Sequence, residues 1–246
     1  MPEKLKGKTA VITGGSRGLG RAMAVALAEQ GAQIALVGRD RAALEESAKL
    51  CGGSIFEADV TKEDDVTRLA KEVTAKFGKV QILINNAGIN LRKKIEEFTL
   101  AEWRSVQDAN VTSVFLVTRA FVPHMRGQGY GRIVMMTSIM SHVSIPERTA
   151  YSTSKTALLG TIRALALELA PEGITVNGIS PGPFATEMNT AIMNDPEKNS
   201  AFLAKLPVGR WGKPEEVGAL AAFLCGPDAG FITGTDIVID GGWTAS

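Results

Sequence analysis

The chain has 246 residues, 45% hydrophobic and 22% charged, a composition that excludes a disordered or fibrous protein and suits one large globular domain or two small ones. Its 27 basic and 26 acidic residues leave a net charge of +1 and are spread along the chain, which argues against a nucleic-acid partner and a polybasic membrane anchor. No apolar run approaches the roughly 20 residues of a membrane span, and the polar stretch Met1 to Lys8 lacks a signal-peptide core.

Taken in order, Ala10–Ile12 reads as a buried strand that breaks at Gly14, Gly18 and Gly20 and continues as a helix from Arg21 to Glu29. Gly31 stops that helix. Ile34–Val37 is the second strand, Arg41–Leu50 a helix, and Ser54–Ala58 the third strand. Thr61 is expected to cap a helix reaching Phe77, with acids in its first turn. Val80–Ile84 is the fourth strand, and Thr99 and Glu102 form a capping box. A long helix covers Val111 to Met125, with His124 near its end. Arg132–Thr137 is the fifth strand, and His142 falls in the loop beyond it. Ala150–Ala170 is a second long helix, stopped by Pro171 and Gly173, and Ile174–Ile179 is the sixth strand. Pro214 opens a last helix, and Ile237–Val238–Ile239 is the final strand. Cys51 and Cys225 have no metal-like spacing and read as small buried hydrophobes of a reducing cytoplasm. Two histidines are too few for a metal site or a Ser-His-Asp triad, so no metal is expected.

Strands alternate with helices throughout, with no repeat or linker, so the expected fold is α/β: a single-domain, Rossmann-type, doubly wound parallel sheet with helices on both faces, spanning 1–246. Ligands of such sheets sit at the carboxyl ends of the strands, which directs attention to the residues just after each one. After the first strand, the glycines let a diphosphate approach the backbone and the helix start that follows. The spacing T-G-x-x-x-G-x-G departs from the general G-x-G-x-x-G fingerprint. After the second strand come Gly38, Arg39 and Asp40. An acid there holds a ribose hydroxyl, whereas a cation accommodates a 2′-phosphate. Arg39, with Arg17 in the glycine loop, favours NADP(H) over NAD(H), while Asp40 keeps the acidic reading open. After the third strand, Asp59–Val60 offers either an acceptor for an adenine amino group or a cap for the next element. The small residues of Asn85–Asn86–Ala87–Gly88 follow the fourth strand and favour close cofactor contact.

Ser138 follows the fifth strand, and Tyr151 and Lys155 lie one turn apart on one helix face. A tyrosine has an ordinary pKa of about 10, too high for efficient proton transfer at neutral pH, and a nearby ammonium lowers it. Ser138 is placed to hydrogen-bond a substrate oxygen.

Together, Thr13–Gly14–x–x–x–Gly18–x–Gly20, Asn85–Asn86–Ala87–Gly88, Ser138, Tyr151–x–x–x–Lys155 and Pro181–Gly182 resemble the short-chain dehydrogenase/reductase family over essentially the whole chain. That resemblance implies a catalytic tetrad of Asn110, Ser138, Tyr151 and Lys155. In it the tyrosine is the general acid/base, the serine orients the substrate oxygen, the lysine also binds the nicotinamide ribose, and the asparagine holds a relay water. It implies further cofactor contacts from Ser16, Leu19, Pro181, Gly182, Phe184, Thr186 (on the carboxamide) and Met188. It also implies a homotetramer built through the two long helices. Within the family, the runs Ile89–Lys94, Ser138–Ser141, Phe184–Met188 and Gly209–Gly212 are similar to gluconate 5-dehydrogenases, and the general pattern to 3-oxoacyl-[acyl-carrier-protein] reductases. The expected activity is hydride transfer between NADP(H) and a small-molecule secondary alcohol or ketone, with an idle NADP-binding sensor as the non-enzyme alternative. For a sugar-acid substrate, Arg92 within Arg92–Lys93–Lys94 is the preferred carboxylate anchor and Arg148 the second, with Met140 also at the substrate. The long connection 184–205 is expected to be a lid.

Overall fold

A computed structural model describes residues 3–245, without the side chain of Met188. Its sheet has seven strands, all parallel: β1 (Thr9–Thr13), β2 (Gln33–Gly38), β3 (Ser54–Glu57), β4 (Ile82–Asn85), β5 (Gly131–Met136), β6 (Ile174–Pro181) and β7 (Asp236–Ile239). They lie in the order β3-β2-β1-β4-β5-β6-β7. The chain therefore winds outward from β1 in one direction and from β4 in the other, which opens a crevice at the carboxyl ends of those two strands.

Alternate residues of each strand feed opposite faces, as the pleat requires. Val11, Val37, Leu83, Ile133, Met135 and Val176 join one core layer, covered by α3 (Glu63–Phe77), α5 (Ser113–Met125) and α6 (Thr149–Leu169). Ala10, Ile12, Ile34, Leu36, Ile84, Val134 and Ile179 join the other, under α1 (Gly18–Glu29), α2 (Arg41–Cys51) and α9 (Pro214–Cys225). Burial on both faces explains why the strands read as unbroken apolar runs.

Four local features differ from expectation. Thr61 does not cap α3; it is held in the preceding turn, where its hydroxyl donates to Asp59 Oδ1 at 2.7 Å, and Lys62 takes the cap position without a side-chain bond. The long helix begins earlier than Val111, because α4 (Leu100–Gln107) runs into it through a π-helical turn at Asp108–Thr112. The Thr99–Glu102 capping box does open α4. Strand β6 runs on to Pro181, two residues past the expected end, and so delivers the Pro181–Gly182 turn to the crevice. Finally, 184–205 is helical rather than an open loop, with α7 (Thr190–Met193) and α8 (Pro196–Leu203).

Candidate active site

The crevice is a cleft of about 1030 Å³. Its floor is the glycine loop. Gly14 has φ +63°, and a Cβ there would lie 2.8 Å from Asn86 Nδ2; a Cβ on Gly20 would lie 2.2 Å from Gly14 O. Asn86 braces the loop rather than only facing a ligand. Its amide donates to Thr13 O and Gly14 O, both at 3.0 Å, while the backbone N–H groups of Asn86 and Ala87 donate to Thr13 Oγ1 at 3.0 and 3.1 Å. Thr13 is a site residue that sequence reading missed; its signal was a hydroxyl placed at the strand-to-glycine junction. With the loop welded to the end of β4, the free N–H groups of α1 open onto bare backbone, a cradle suited to a diphosphate. Gly14, Ser16, Arg17, Gly18, Leu19 and Gly20 all line it.

At the mouth, Arg39, Asp59, Val60 and Asp40 line the same cleft. Both Asp40 oxygens are taken: Oδ1 accepts from Ala43 N at 3.1 Å, capping α2, and Oδ2 accepts from Arg17 Nη2 at 2.6 Å. Arg39 forms no ion pair among the described residues. Burial pushes the Asp59 carboxyl up, but the Thr61 hydroxyl and amide and the Arg39 charge outweigh it and hold the group below its ordinary value. Asp59 thus serves the Thr61 turn, not the helix cap.

Beyond β5, Ser138 caps a short turn, Ile139–Ser141, by accepting from Met140 N at 3.1 Å. The turn faces the first turns of α6, where Tyr151 and Lys155 also line the cleft. Burial pushes the Tyr151 phenol above its ordinary value, against the Ser138 hydroxyl and the Arg148 charge, which favour the phenolate. Lys155 is not among the groups that shift this phenol. The Lys155 ammonium lies 5.8 Å from the ring centroid and donates instead to Met136 O at 2.6 Å. Burial lowers its own pKa to about 8.

Asn110 sits in the π-helical turn, fully buried. Its Oδ1 accepts from Ile89 N at 2.8 Å, and its Nδ2 donates to Ile89 O and Ser154 Oγ, each at 2.9 Å. Gly88 packs on this group: a Cβ there would lie 2.9 Å from Asn110 Oδ1 and 3.5 Å from Lys155 Nζ. The structure thus brings Ser138, Tyr151 and Lys155 to one wall with Asn110 behind Gly88. Pro181, Gly182, Phe184 and Thr186 line the opposite side. The side chain of Met188 lies outside those described.

Arg92, Met140 and Arg148 are not among the residues lining the cleft. Met140 is buried in the Ser138 turn. Lys93 is engaged with Glu102 at 2.5 Å, which leaves Arg92 and Lys94 as the cations of the run without an ion pair among the described residues. Arg148 is 8% exposed, and its Nη1 has no hydrogen-bond partner. Burial lowers its pKa, and the Arg92 charge lowers it further. The neighbouring Tyr151 and Glu147 pull it the other way. Glu147, the one described non-glycine residue in the left-handed region (φ +66°), turns the chain into this position.

A doubly wound parallel sheet with a glycine cradle at its switch point and a Ser-Tyr-Lys wall beside it defines a nicotinamide-dinucleotide oxidoreductase. A family-wide sequence model described as Enoyl-(Acyl carrier protein) reductase matches residues 14–244. The chain belongs to this family, the short-chain dehydrogenases/reductases, and acts on CH–OH or carbonyl groups. It is 35% identical to the gluconate 5-dehydrogenase of Gluconobacter oxydans over 98% of this chain and 96% of that one. It is 34% identical to a 3-oxoacyl-[acyl-carrier-protein] reductase of Vibrio cholerae over 97% of this chain and 98% of that one. A solved structure from Beutenbergia cavernae, provisionally assigned as an NAD(P)-dependent gluconate 5-dehydrogenase and holding NADP at low occupancy, superposes with a TM-score of 0.92 at 37% identity, with both chains fully covered (100% each).

Proposed function

We propose that the chain interconverts a small polyhydroxy carboxylate of the gluconate type and its keto form, using NADP(H), through Asn110, Ser138, Tyr151 and Lys155. The observation that carries the substrate class is Arg148, which stands at the N-cap of α6 three residues before Tyr151, behind the cleft lining rather than in it. A guanidinium this buried with an unpartnered Nη1 is unfavourable unless an anion completes it, and a carboxylate is the planar acceptor it fits. Arg92 adds a second charge from the exposed side. Arg148 thereby replaces Arg92 as the preferred anchor, because a desolvated cation gains more from an anion than a solvated one.

The cofactor preference rests on the mouth of the cleft. Asp40 is committed to Arg17 and to the α2 cap, so no free carboxylate awaits a ribose 2′-hydroxyl, while Arg39 is free for a 2′-phosphate. The nicotinamide, when bound, supplies or takes the hydride. In reduction, the Tyr151 phenol gives its proton to the substrate carbonyl oxygen as that carbon becomes an alcohol carbon; in oxidation, the phenolate takes the hydroxyl proton. Ser138 holds the same oxygen. Lys155, anchored on Met136 O, binds the nicotinamide ribose, and Asn110 orders the relay behind Gly88. The segment 184–205 covers the substrate as a lid.

Initial rates with gluconate, 5-ketogluconate, an uncharged ketone and an acetoacetyl thioester, each with both cofactors, test the reading. The expected result is sugar-acid turnover that drops roughly 10- to 100-fold in kcat/KM in Arg148→Ala, with the uncharged ketone little changed. Turnover of the thioester and of neither sugar acid would install the 3-oxoacyl reductase reading, which the Vibrio cholerae relative favours.

A further inference from the structure

Behind the Ser138 turn lies a buried polar cluster that the reaction does not use directly. Asp236 opens β7 opposite Gly178 of β6. Its side chain is 7% exposed. A Cβ on Gly178 would lie 2.1 Å from Asp236 Oδ1, so the missing side chain is what lets the carboxylate turn inward across β6 toward β5. There Oδ1 lies 2.6 Å from Thr137 Oγ1, whose single proton it shares with Ile179 O at 2.7 Å, and Oδ2 lies 2.6 Å from Ser180 Oγ and 2.7 Å from His142 Nε2. Ser180 Oγ also lies 2.9 Å from Ser138 O, so its single proton is shared between that carbonyl and the carboxylate. Thr137 stands immediately before Ser138, and His142 closes the turn that Ser138 caps.

We infer that Asp236 is a positioning residue for Ser138. One carboxylate grips the turn at both ends, Thr137 through Oδ1 and His142 through Oδ2, while Ser180 ties the centre. A carboxylate this buried is costly unless its acceptors are filled, and here every partner it finds belongs to the Ser138 turn or to the strand beneath it. Held in this way, the Ser138 hydroxyl stays directed at Tyr151 and at the substrate oxygen. The inference rests on the reading of Ser138 as the residue that holds that oxygen.

The test is a double-mutant cycle on the full-length protein. Asp236→Asn keeps the shape and removes the charge; His142→Ala removes one arm at a half-exposed site. Both are expected to lower kcat for reduction of 5-ketogluconate, or of acetoacetyl-coenzyme A if only that is turned over, roughly 10- to 100-fold for Asp236→Asn and less for His142→Ala. NADPH affinity, followed by fluorescence, is expected to stay within about twofold of wild type, since none of Thr137, Ser138, His142, Ser180 and Asp236 is among the residues read as holding the cofactor. In a Ser138→Ala background the Asp236→Asn loss should vanish, because the group it positions is gone. The amides of Ser141 and His142, bonded to Ser138 O and Ile139 O, should exchange faster in Asp236→Asn. Full activity and unchanged exchange in Asp236→Asn would overturn the inference, as would an equal loss with and without Ser138. An active Ser138→Ala enzyme would instead sink the role given to Ser138 itself.

Discussion

Tyr151 carries the proton in the proposed reaction, and its surroundings set the direction in which pH drives it. Burial holds the phenol above its ordinary value, so at neutral pH it stands ready as an acid. Ketone reduction should therefore be level around neutrality and fall at alkaline pH, while alcohol oxidation climbs as pH rises; an oxidation optimum on the acid side would contradict this. Tyr151→Phe keeps the ring and removes the proton, and is expected to lower kcat by ~10²–10⁴-fold with cofactor affinity retained, measured by single-turnover kinetics and fluorescence titration. Lys155 gives a prediction about stability. Its pKa falls from 10.5 to about 8 through burial, so the unfolded chain binds the proton more tightly. Unfolding free energy should then rise with pH between those two values and show no further contribution from this group below them. Lys155→Met should accordingly stabilise the fold at neutral pH by at most about 3 kcal/mol while abolishing turnover, and a lower melting temperature for that variant would refute the account. At the mouth, Arg39→Asp exchanges a cation for an acid at the end of β2. The kcat/KM ratio for NADP(H) over NAD(H) should fall, and a wild-type enzyme that already prefers NAD(H) would show the Arg39 reading to be wrong.

At the scale of elements, α6 does most of the assembling. Arg148 at its N-cap, Tyr151 in its first turn and Lys155 one turn on share a face, so one rigid helix sets the spacing of acid, amine and anchor. The π-helical turn between α4 and α5 does the same for Asn110, carrying it to the backbone of Ile89. The helices of segment 184–205 are tied at both ends. Glu187 reaches Arg17 of the glycine loop at 3.6 Å, and Phe202 of α8 stacks on Trp211 at 4.7 Å and packs on Trp243 at 5.1 Å. The first tie is solvent-exposed and leaves residues 187–193 free to rearrange over bound ligands, whereas the aromatic one holds α8 in place. Hydrogen exchange across residues 187–203 should therefore slow when NADP(H) and substrate are both bound, with the change concentrated before α8. Slow exchange without ligands, unchanged by their addition, would identify the segment as a rigid helical pair.

For the molecule as a whole, the exposed apolar side chains bear on assembly. Phe115 on α5 is 54% exposed and Leu167 on α6 is 81% exposed, although both helices otherwise bury their faces against the sheet. Large apolar groups in the open on α5 and α6 fit a packed face between subunits. Light scattering on the purified protein is expected to return about four times the chain mass of 26.0 kDa, and Leu167→Asp to lower it; a monomer of unchanged activity would dismiss the tetramer. Among the described residues no helix is long and apolar enough to cross a membrane, in keeping with the apolar pattern.

The order of strands and helices, the parallel sheet, and the membership of Gly14 to Gly20, Ser138, Tyr151 and Lys155 in one cleft were legible in the amino-acid sequence. They depend on local periodicity, on glycines at strand ends and on i, i+4 spacing, all of which are short-range. Other features needed residues distant in sequence to meet. Asp40 was an open candidate for the ribose, and only the fold shows it paired with Arg17, 23 positions away. Asn86 became a brace only because β4 lies beside β1, 72 residues back. Lys155 sits beside Tyr151 in sequence, yet its ammonium goes to Met136 O, since a buried charge takes the nearest strong acceptor. Arg148 read as the second candidate anchor, but its burial and unfilled Nη1 exist only once α6 packs against the Ser138 turn. Spacing along the chain determines which groups a strand end or helix face presents. Whether each is already satisfied or left open for a ligand is decided by the desolvation and pairing that packing imposes.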